Sequence, residues 1–244
     1  MRSIRLFADV PLEPGHELGL PAAAAAHALR VLRLKAGDTL TLFNGDGHEY
    51  AARLVAMAIR DVRAAVGSRS SPLRESPLRM TLIQSLARGE KMDWIIQKAT
   101  ELGVARIVPV RTERSEVKLD PTRGAGRHAH WQAVAISACE QCGRNALPRI
   151  DAPLELATWL ESADASEPTA RWMLSPGGAA HLRELHPGTG LELAVGPEGG
   201  FGELDLAALL VHGFRELSLG PRILRTETAG VATIAALQAL YGDL

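Results

Sequence analysis

The sequence predicts an α/β protein in two parts, residues 1–70 and 71–244. Three observations predict it. The first 66 residues are strand-rich, with the hairpin signal Asn44-Gly45-Asp46-Gly47 between two strands. From Leu78 onward, short apolar runs alternate with amphipathic segments, the pattern of a mainly parallel sheet with helices on both faces. Late in the chain, two segments each read as a buried strand, a Gly-Pro turn and the start of a helix. These are Leu191-Glu192-Leu193-Ala194-Val195-Gly196-Pro197-Glu198-Gly199-Gly200-Phe201 and Leu217-Ser218-Leu219-Gly220-Pro221-Arg222-Ile223-Leu224-Arg225-Thr226-Glu227-Thr228-Ala229.

In the first part, residues 4–7, 39–43, 49–58 and 61–66 read as strands, a set that suits a small barrel. One helix, over 22–32, interrupts them, and its alanine run is a helix former. Residues 68–77, polar and proline-bearing, read as the linker. Residues 80–86 then form a strand. Over 91–102 an amphipathic helix places Met92, Ile95, Ile96, Ala99 and Leu102 on one face and closes at Gly103. A strand at 106–110 and a helix over 127–142 follow. Further strands lie at 170–174, 191–195 and 216–219, and a last helix runs from 226 or 227 to 241. No repeat of solenoid period is present.

Composition bounds the function classes. With 46% hydrophobic and 23% charged residues the chain is of ordinary globular type, and aromatics at 4% are too few for broad base stacking. The N-terminus lacks the apolar core of a signal peptide, and no apolar run is long enough to span a bilayer, so a cytoplasmic protein is expected. The net charge of −1 hides an asymmetry: +2 over residues 1–73, +5 over 74–150 and −8 over 151–244. A basic first 150 residues would suit an RNA backbone, although the same charges could be scattered over a solvated surface.

The late Gly-Pro turns are the candidate site. Two strand-turn-helix units close in sequence bring two turns to one sheet edge, where glycine lets backbone approach a ligand. The chain has neither G-x-x-x-x-G-K-[ST] nor an early G-x-G-x-x-G, which argues against a P-loop and a dinucleotide fold. A ligand with few or no phosphates, bound late in the chain, remains.

These turns resemble the two signature loops of the 16S ribosomal RNA uridine N3-methyltransferases, a family of the SPOUT superfamily. The resemblance extends to Arg5-Leu6-Phe7, His27-Ala28-Leu29-Arg30-Val31-Leu32-Arg33, Lys98-Ala99-Thr100-Glu101-Leu102-Gly103-Val104 and Glu140-Gln141-Cys142-Gly143-Arg144, in the family's order. It implies a PUA-like RNA-binding barrel over 1–70, and over 71–244 a SPOUT domain whose C-terminal sheet carries a trefoil knot. Chain-topology rules alone disfavour a knot, so that expectation rests on the resemblance. It further implies S-adenosyl-L-methionine as cofactor, and methylation of uridine N3 in 16S ribosomal RNA of the small subunit, the family target being uridine 1498 of the decoding region. Two other readings stay open: a knotted ribose 2′-O-methyltransferase, and a non-catalytic RNA-binding or ribosome-assembly factor.

On this reading Leu174, Ser175, Pro176, Val195, Gly196, Pro197, Glu198, Gly199, Gly200, Leu219, Gly220, Ile223, Leu224, Arg225, Thr228 and Ala229 would hold the cofactor. Methyl transfer to uracil N3 needs that nitrogen to lose its proton. Arg225 could stabilise the negative charge, and Glu198 or Glu227 could accept the proton. Each also has a structural reading, Glu227 as a first-turn carboxylate for example. Arg5, Arg30, Arg33, Lys91, Lys98, Gln141 and Arg144 would contact RNA, with His27, Glu140 and Asn145 nearby candidates. The apolar last helix, with its alanines, points to a homodimer, and Arg144 or a neighbour could then act across the interface. One Cys139-x-x-Cys142, even with His128 and His130 upstream, is weak evidence for zinc, so no metal is expected.

Overall fold

The computed structural model describes residues 4–58, 61–118, 121–162, 170–188 and 190–244. The chain divides into two compact units, Met1–Glu75 with Ile136–Leu147, and Ser76–Ala135 with Pro148–Leu244.

The first unit is a mixed five-stranded sheet of β1 (Arg5–Phe7), β2 (Glu17–Gly19), β3 (Thr39–Phe43), β4 (Glu49–Ala58) and β5 (Asp61–Ser70), in the order β1-β3-β4-β5-β2. Strict alternation builds it: Tyr50, Ala52 and Leu54 of β4 and Val62, Ala64 and Val66 of β5 all point into one core. The 44–47 turn forms as its residues dictate. Gly45 and Gly47 take positive φ of 94° and 87°, and the Asn44 and Asp46 side chains accept from the amides two residues on. β1 pairs parallel to β3, which makes the sheet mixed.

Two expectations need correction here. The helix expected over 22–32 is α1 (Ala22–Ala26) followed by a wider π-helical turn, His27–Val31, closed by the Leu32 amide on the His27 carbonyl at 3.0 Å. Arg33 then takes φ 53°, unusual for a residue with a side chain. The expected linker also starts late, because Arg69 and Ser70 still pair with Tyr50 and Glu49. Backbone pairing with β4 outweighs their polar composition.

The second unit contains a sheet in which every pairing is parallel. Its strands are β6 (Arg79–Ser85), β7 (Arg106–Arg111), β8 (Arg149–Ile150), β9 (Leu154–Glu155), β10 (Ala170–Leu174), β11 (Ala180–His181), β12 (Gly190–Val195) and β13 (Arg215–Ser218). The order is β11-β13-β10-β12-β6-β7-β8, with β9 also on β7. The helices are α2 (Lys91–Glu101), α3 (Pro121–Cys142), α4 (Leu156–Ser162), α5 (Glu203–Val211) and α6 (Thr226–Tyr241). Neighbouring residues in a strand feed opposite cores. Leu82 and Leu193 pack with Ile95, Trp131 and Leu237 of α2, α3 and α6. Ile83 and Ala194 pack with Trp159 of α4 and Leu209 of α5. Helices therefore cover both faces, as expected of a buried parallel sheet.

The last strands set up the site. β10 lies between β12 and β13, so the chain skips a place and then doubles back: α6 packs on β12 and α2. This return brings the turn after β13 against the turn after β12, where the Thr226 hydroxyl donates to the Gly196 carbonyl at 2.6 Å. Among the described residues, no helix is long and apolar enough to cross a membrane.

Candidate functional site

The turns after β10, β12 and β13 meet at the carboxyl edge of the parallel sheet, where open α/β sheets place ligands. Between them lies a cleft of about 620 Å³. Strand ends supply apolar walls: Leu174, Val195 and Leu217, joined by Leu219 and Leu224 from the last turn. Ile223 stands at the cleft lining yet is 84% exposed, a large apolar side chain with nothing over it. Pro176, Pro197 and Pro221 stiffen the three turns.

Two glycines are favoured by geometry. A Cβ at Gly196 would lie 3.1 Å from the Phe201 amide and 3.2 Å from the Gly200 carbonyl carbon, so any side chain there would push the turn's own backbone back by a few tenths of an ångström. Gly220 has φ 102°, a left-handed conformation that side chains disfavour. Gly199 is different: an added Cβ would meet only the Arg114 side chain, at 3.6 Å, an ordinary contact.

In the cleft wall Lys91 stands between two acids, Glu198 in the lining and Glu227 outside it. Lys91, at the start of α2, reaches Glu198 Oε1 at 2.8 Å and Glu227 Oε2 at 3.4 Å. The hydrogen bond to Glu198 raises the Lys91 pKa above its ordinary value despite partial desolvation. Burial pushes the Glu198 carboxyl up, but the Lys91 bond and the backbone amides of Glu198 itself and Arg88 outweigh it and hold Glu198 below the usual carboxylate range. Glu198 thus stays ionised at neutral pH. A carboxylate so stabilised is a poor proton acceptor and a good holder of positive charge. Glu227 Oε2 is buried and makes no hydrogen bond, although Lys91 lies within ion-pair distance. Arg225 lines the cleft, exposed, immediately before α6. Among the described residues it forms no ion pair.

A loop after β7 braces the first late turn. Arg114 Nη1 donates to the Gly199 carbonyl at 3.0 Å, and Asp205 accepts from the Gly202 and Glu113 amides at 3.1 and 3.0 Å. Beneath the cleft, the Gln84 amide donates to Thr226 Oγ1 at 3.1 Å.

The structure therefore brings together nearly all the residues the sequence nominated for a cofactor. Ser175, Glu198, Gly199, Gly200, Arg225 and Ala229 line the cleft with those already named. Thr228 does not line it: it is exposed one helical step round. Lys91, nominated for RNA, stands in the cleft wall, held by two carboxylates. Leu217, Pro221, Arg222 and Thr226 line the cleft without having been nominated. Gln84, beneath the cleft rather than in its lining, was also not nominated; its sequence signal is an amide directly after Leu82 and Ile83 in β6.

The RNA nominees divide by exposure. Arg30 and Arg33 are exposed on and beside the π-helical turn. Arg5 and Arg144 face inward, with side chains 9% and 7% exposed. Arg5 donates to Glu49 at 2.7 Å, to Asn145 Oδ1 at 2.6 Å and to the Arg144 carbonyl, and it lies 4.9 Å from the Phe43 ring centroid. Arg144 binds Glu75 at 2.8 Å. Both occupy an internal network, which weighs against phosphate contact and against Arg144 acting on a second subunit. Glu140 accepts from the Phe7 amide and lies 3.3 Å from His27; burial raises its pKa, against the pull of the Phe7 amide, His27 and Arg5. Lys98 is paired with Glu101 and Gln141 is exposed. Cys139 and Cys142 are free thiols, and their hydrogen bond, with burial, pushes Cys139 well up. Among the described residues no three His, Cys, Asp or Glu side chains group as a metal site.

Known proteins match this architecture along its length. Residues 74–238 match the RNA methyltransferase domain family, and residues 20–60 match the RNA methyltransferase PUA domain. Ribosomal RNA small subunit methyltransferase E from Buchnera aphidicola is 32% identical over 241 residues, covering 98% of this chain and 97% of the relative. The Bacillus subtilis protein of that name is also 32% identical, covering 89% of each chain. Among solved structures, a putative methyltransferase of Legionella pneumophila in complex with bound SAM superposes with TM-score 0.95 at 39% identity, over 100% of both chains. A ribosomal RNA small subunit methyltransferase E of Neisseria gonorrhoeae bound to S-adenosyl methionine does so with TM-score 0.91 at 38% identity, again over 100% of both. With a PUA domain match in the first unit, a parallel sheet in the second, and a family match spanning most of the chain, this protein belongs to the RNA methyltransferase family that includes the ribosomal RNA small subunit methyltransferase E proteins.

Proposed function

We propose that this protein transfers the methyl group of S-adenosyl-L-methionine to N3 of a uridine in 16S ribosomal RNA of the small subunit, the family target uridine 1498, in the cytoplasm. The observation that carries this reading is the cleft between the two late turns, in a chain superposing at TM-score 0.91 on a small-subunit methyltransferase E bound to S-adenosyl methionine.

The cleft fits the cofactor on its own chemistry. Its apolar walls suit an adenine ring, and its glycine turns present backbone groups to the base edge. Its volume lies in the range of small-molecule sites. A cation without phosphates matches a site whose Lys91 is already neutralised by Glu198 and Glu227. The cofactor supplies an electrophilic methyl on a sulfonium. The chain's own residues then do three things. Arg225 holds negative charge at a uracil oxygen as N3 loses its proton. Glu227, outside the cleft lining but with Oε2 3.4 Å from the cleft's Lys91, takes that proton in this reading, because Glu198 is held ionised. Glu198, held ionised, balances positive charge near the methyl donor. As N3 bonds to the methyl carbon, the carbon–sulfur bond breaks and S-adenosylhomocysteine leaves.

Residues 1–70 are proposed as the PUA-like RNA-binding part and 71–244 as the methyltransferase part. Arg30 and Arg33 are the exposed cations of the first part's resemblance motif. A homodimer through α6 is proposed as the working form.

The test is methylation of small subunits and of naked 16S RNA lacking the modification, followed by digestion to nucleosides and mass analysis. N3-methyluridine at the family position is expected. Ribose 2′-O-methylation, or no methylation of either substrate, would overturn the reading.

A further inference from the structure

We infer that Gln84 and Thr226 form a latch that sets the spacing of the two late turns, and so act as positioning residues for Arg225 and for the Gly196 turn. The inference rests on the cofactor reading of this cleft.

Gln84 has no exposed surface; it follows the apolar Leu82 and Ile83 in β6 and precedes the buried Ser85. Its Nε2 donates to the Ser85 carbonyl and to Thr226 Oγ1, each at 3.1 Å, and Thr226 passes the chain on to the Gly196 carbonyl at 2.6 Å. Three separate pieces of backbone are thereby tied: the end of β6, the first late turn, and the start of α6. β6 and β12 are already in register there, with Gln84 opposite Val195. α6 has no such ladder to fix it. Farther along, Ile234 and Leu237 pack in the core and Gln238 donates to the Leu102 carbonyl; at its start the helix is held by the latch and approaches closely at Gly230, where an added Cβ would lie 3.4 Å from both Gln84 Oε1 and a Val195 methyl.

The arrangement carries a cost. Gln84 Oε1 is buried without a hydrogen-bond partner. Burying an unpaired acceptor is unfavourable, and an apolar side chain would fill this core position without that penalty. What the amide provides is direction. Thr226 Oγ1 accepts from Gln84, so its own proton points at Gly196. The residue before Thr226 is Arg225, and the residue before Gly196 is Val195, both cleft-lining. A slip of either turn would move the proposed charge-stabilising guanidinium relative to the cofactor walls, and small misplacements cost catalysis heavily.

The test uses the full chain and three variants: Thr226→Val, which keeps volume but loses the hydroxyl; Thr226→Ser, which keeps it; and Gln84→Met. S-adenosylmethionine affinity is measured by calorimetry and turnover by single-turnover methylation. Hydrogen exchange over 196–200 and 219–225 is measured without ligand. The latch predicts that Thr226→Val and Gln84→Met weaken binding about tenfold, equivalent to about 1.4 kcal/mol, and slow turnover at saturating cofactor. Thr226→Ser should stay within about twofold of the parent, and the double variant should be little worse than either single one because both break one network. Both turns should exchange faster together, even where the melting temperature is unchanged. Thr226→Val with parental affinity, turnover and exchange would overturn the inference. If the parent itself bound no S-adenosylmethionine, the proposed function would fail, and exchange alone would decide the latch: coordinated loosening of both turns supports it, and unchanged protection overturns it.

Discussion

Lys91 shows how the neighbours of a side chain add what its place in the sequence leaves open. As a lysine at a helix start in a basic segment it could contact RNA or simply face solvent. In the fold its two partners are carboxylates, and it organises the cleft. The pairing has a pH signature. Glu198 titrates below its ordinary 4.5 in the folded protein. Its contribution to stability is therefore present at neutral pH and is lost as pH falls through the folded value. In Lys91→Met the largest opposing influence disappears while burial, which raises the pKa, remains. The Glu198 carboxyl should then titrate at higher pH, read by carboxyl-carbon NMR, and acid loosening of the 196–200 turn should begin earlier. An unchanged Glu198 titration in that variant would show that its own backbone amides, not Lys91, set the charge. None of this was legible in the sequence, since residues 91, 198 and 227 are joined only by the return of the chain.

At the scale of elements the sequence is read well where periodicity is strong and poorly where geometry is local. The strand-turn-helix units around Gly196 and Gly220 were legible because glycine and proline there answer real backbone demands. The two-residue strands β8, β9 and β11 were not, being too short to show alternation. The split of the 22–32 helix was hidden too, because a π-helical turn uses ordinary helix formers. The last helix was legible as apolar on more than one face. Its own subunit buries Gly230, Thr233, Ile234, Leu237 and Gln238, yet leaves Ala232, Ala239 and Leu240 exposed. The exposed alanines would let a twofold partner approach closely. Sedimentation velocity at micromolar concentration should show a dimer, and Ala232→Glu should shift it to monomer while leaving the helix folded. A parent that sediments as a monomer would remove the dimer from the proposal.

For the whole molecule, the charge split along the chain suggests separable RNA and cofactor binding, but the units are not separable by cutting. Residues 136–147, the end of α3 and the segment after it, follow the second unit's helix with no break in sequence, yet they belong to the first unit. The reason is long-range polar chemistry: Arg5 holds Asn145, the Phe7 amide holds Glu140, and Glu75 binds the Asn145 and Ala146 amides. A fragment beginning at residue 74 would strip that segment of Arg5 and Phe7, so the full chain is the proper material. The π-helical turn offers the cleaner test. Arg30 and Arg33 are exposed there and form no ion pair among the described residues, whereas Arg5 and Arg144 are occupied inside. Reversing both exposed charges, Arg30→Glu with Arg33→Glu, should weaken RNA binding most at low salt, with the parent and variant curves converging as salt rises. For every phosphate no longer neutralised, the salt slope should flatten by about 0.7 to 0.9. S-adenosylmethionine affinity should stay within about twofold, since no residue of the cleft is touched. Equal RNA affinity across the salt range would move the RNA path away from this turn. A parallel loss of cofactor affinity would mean that the two binding functions are coupled through the fold rather than housed apart.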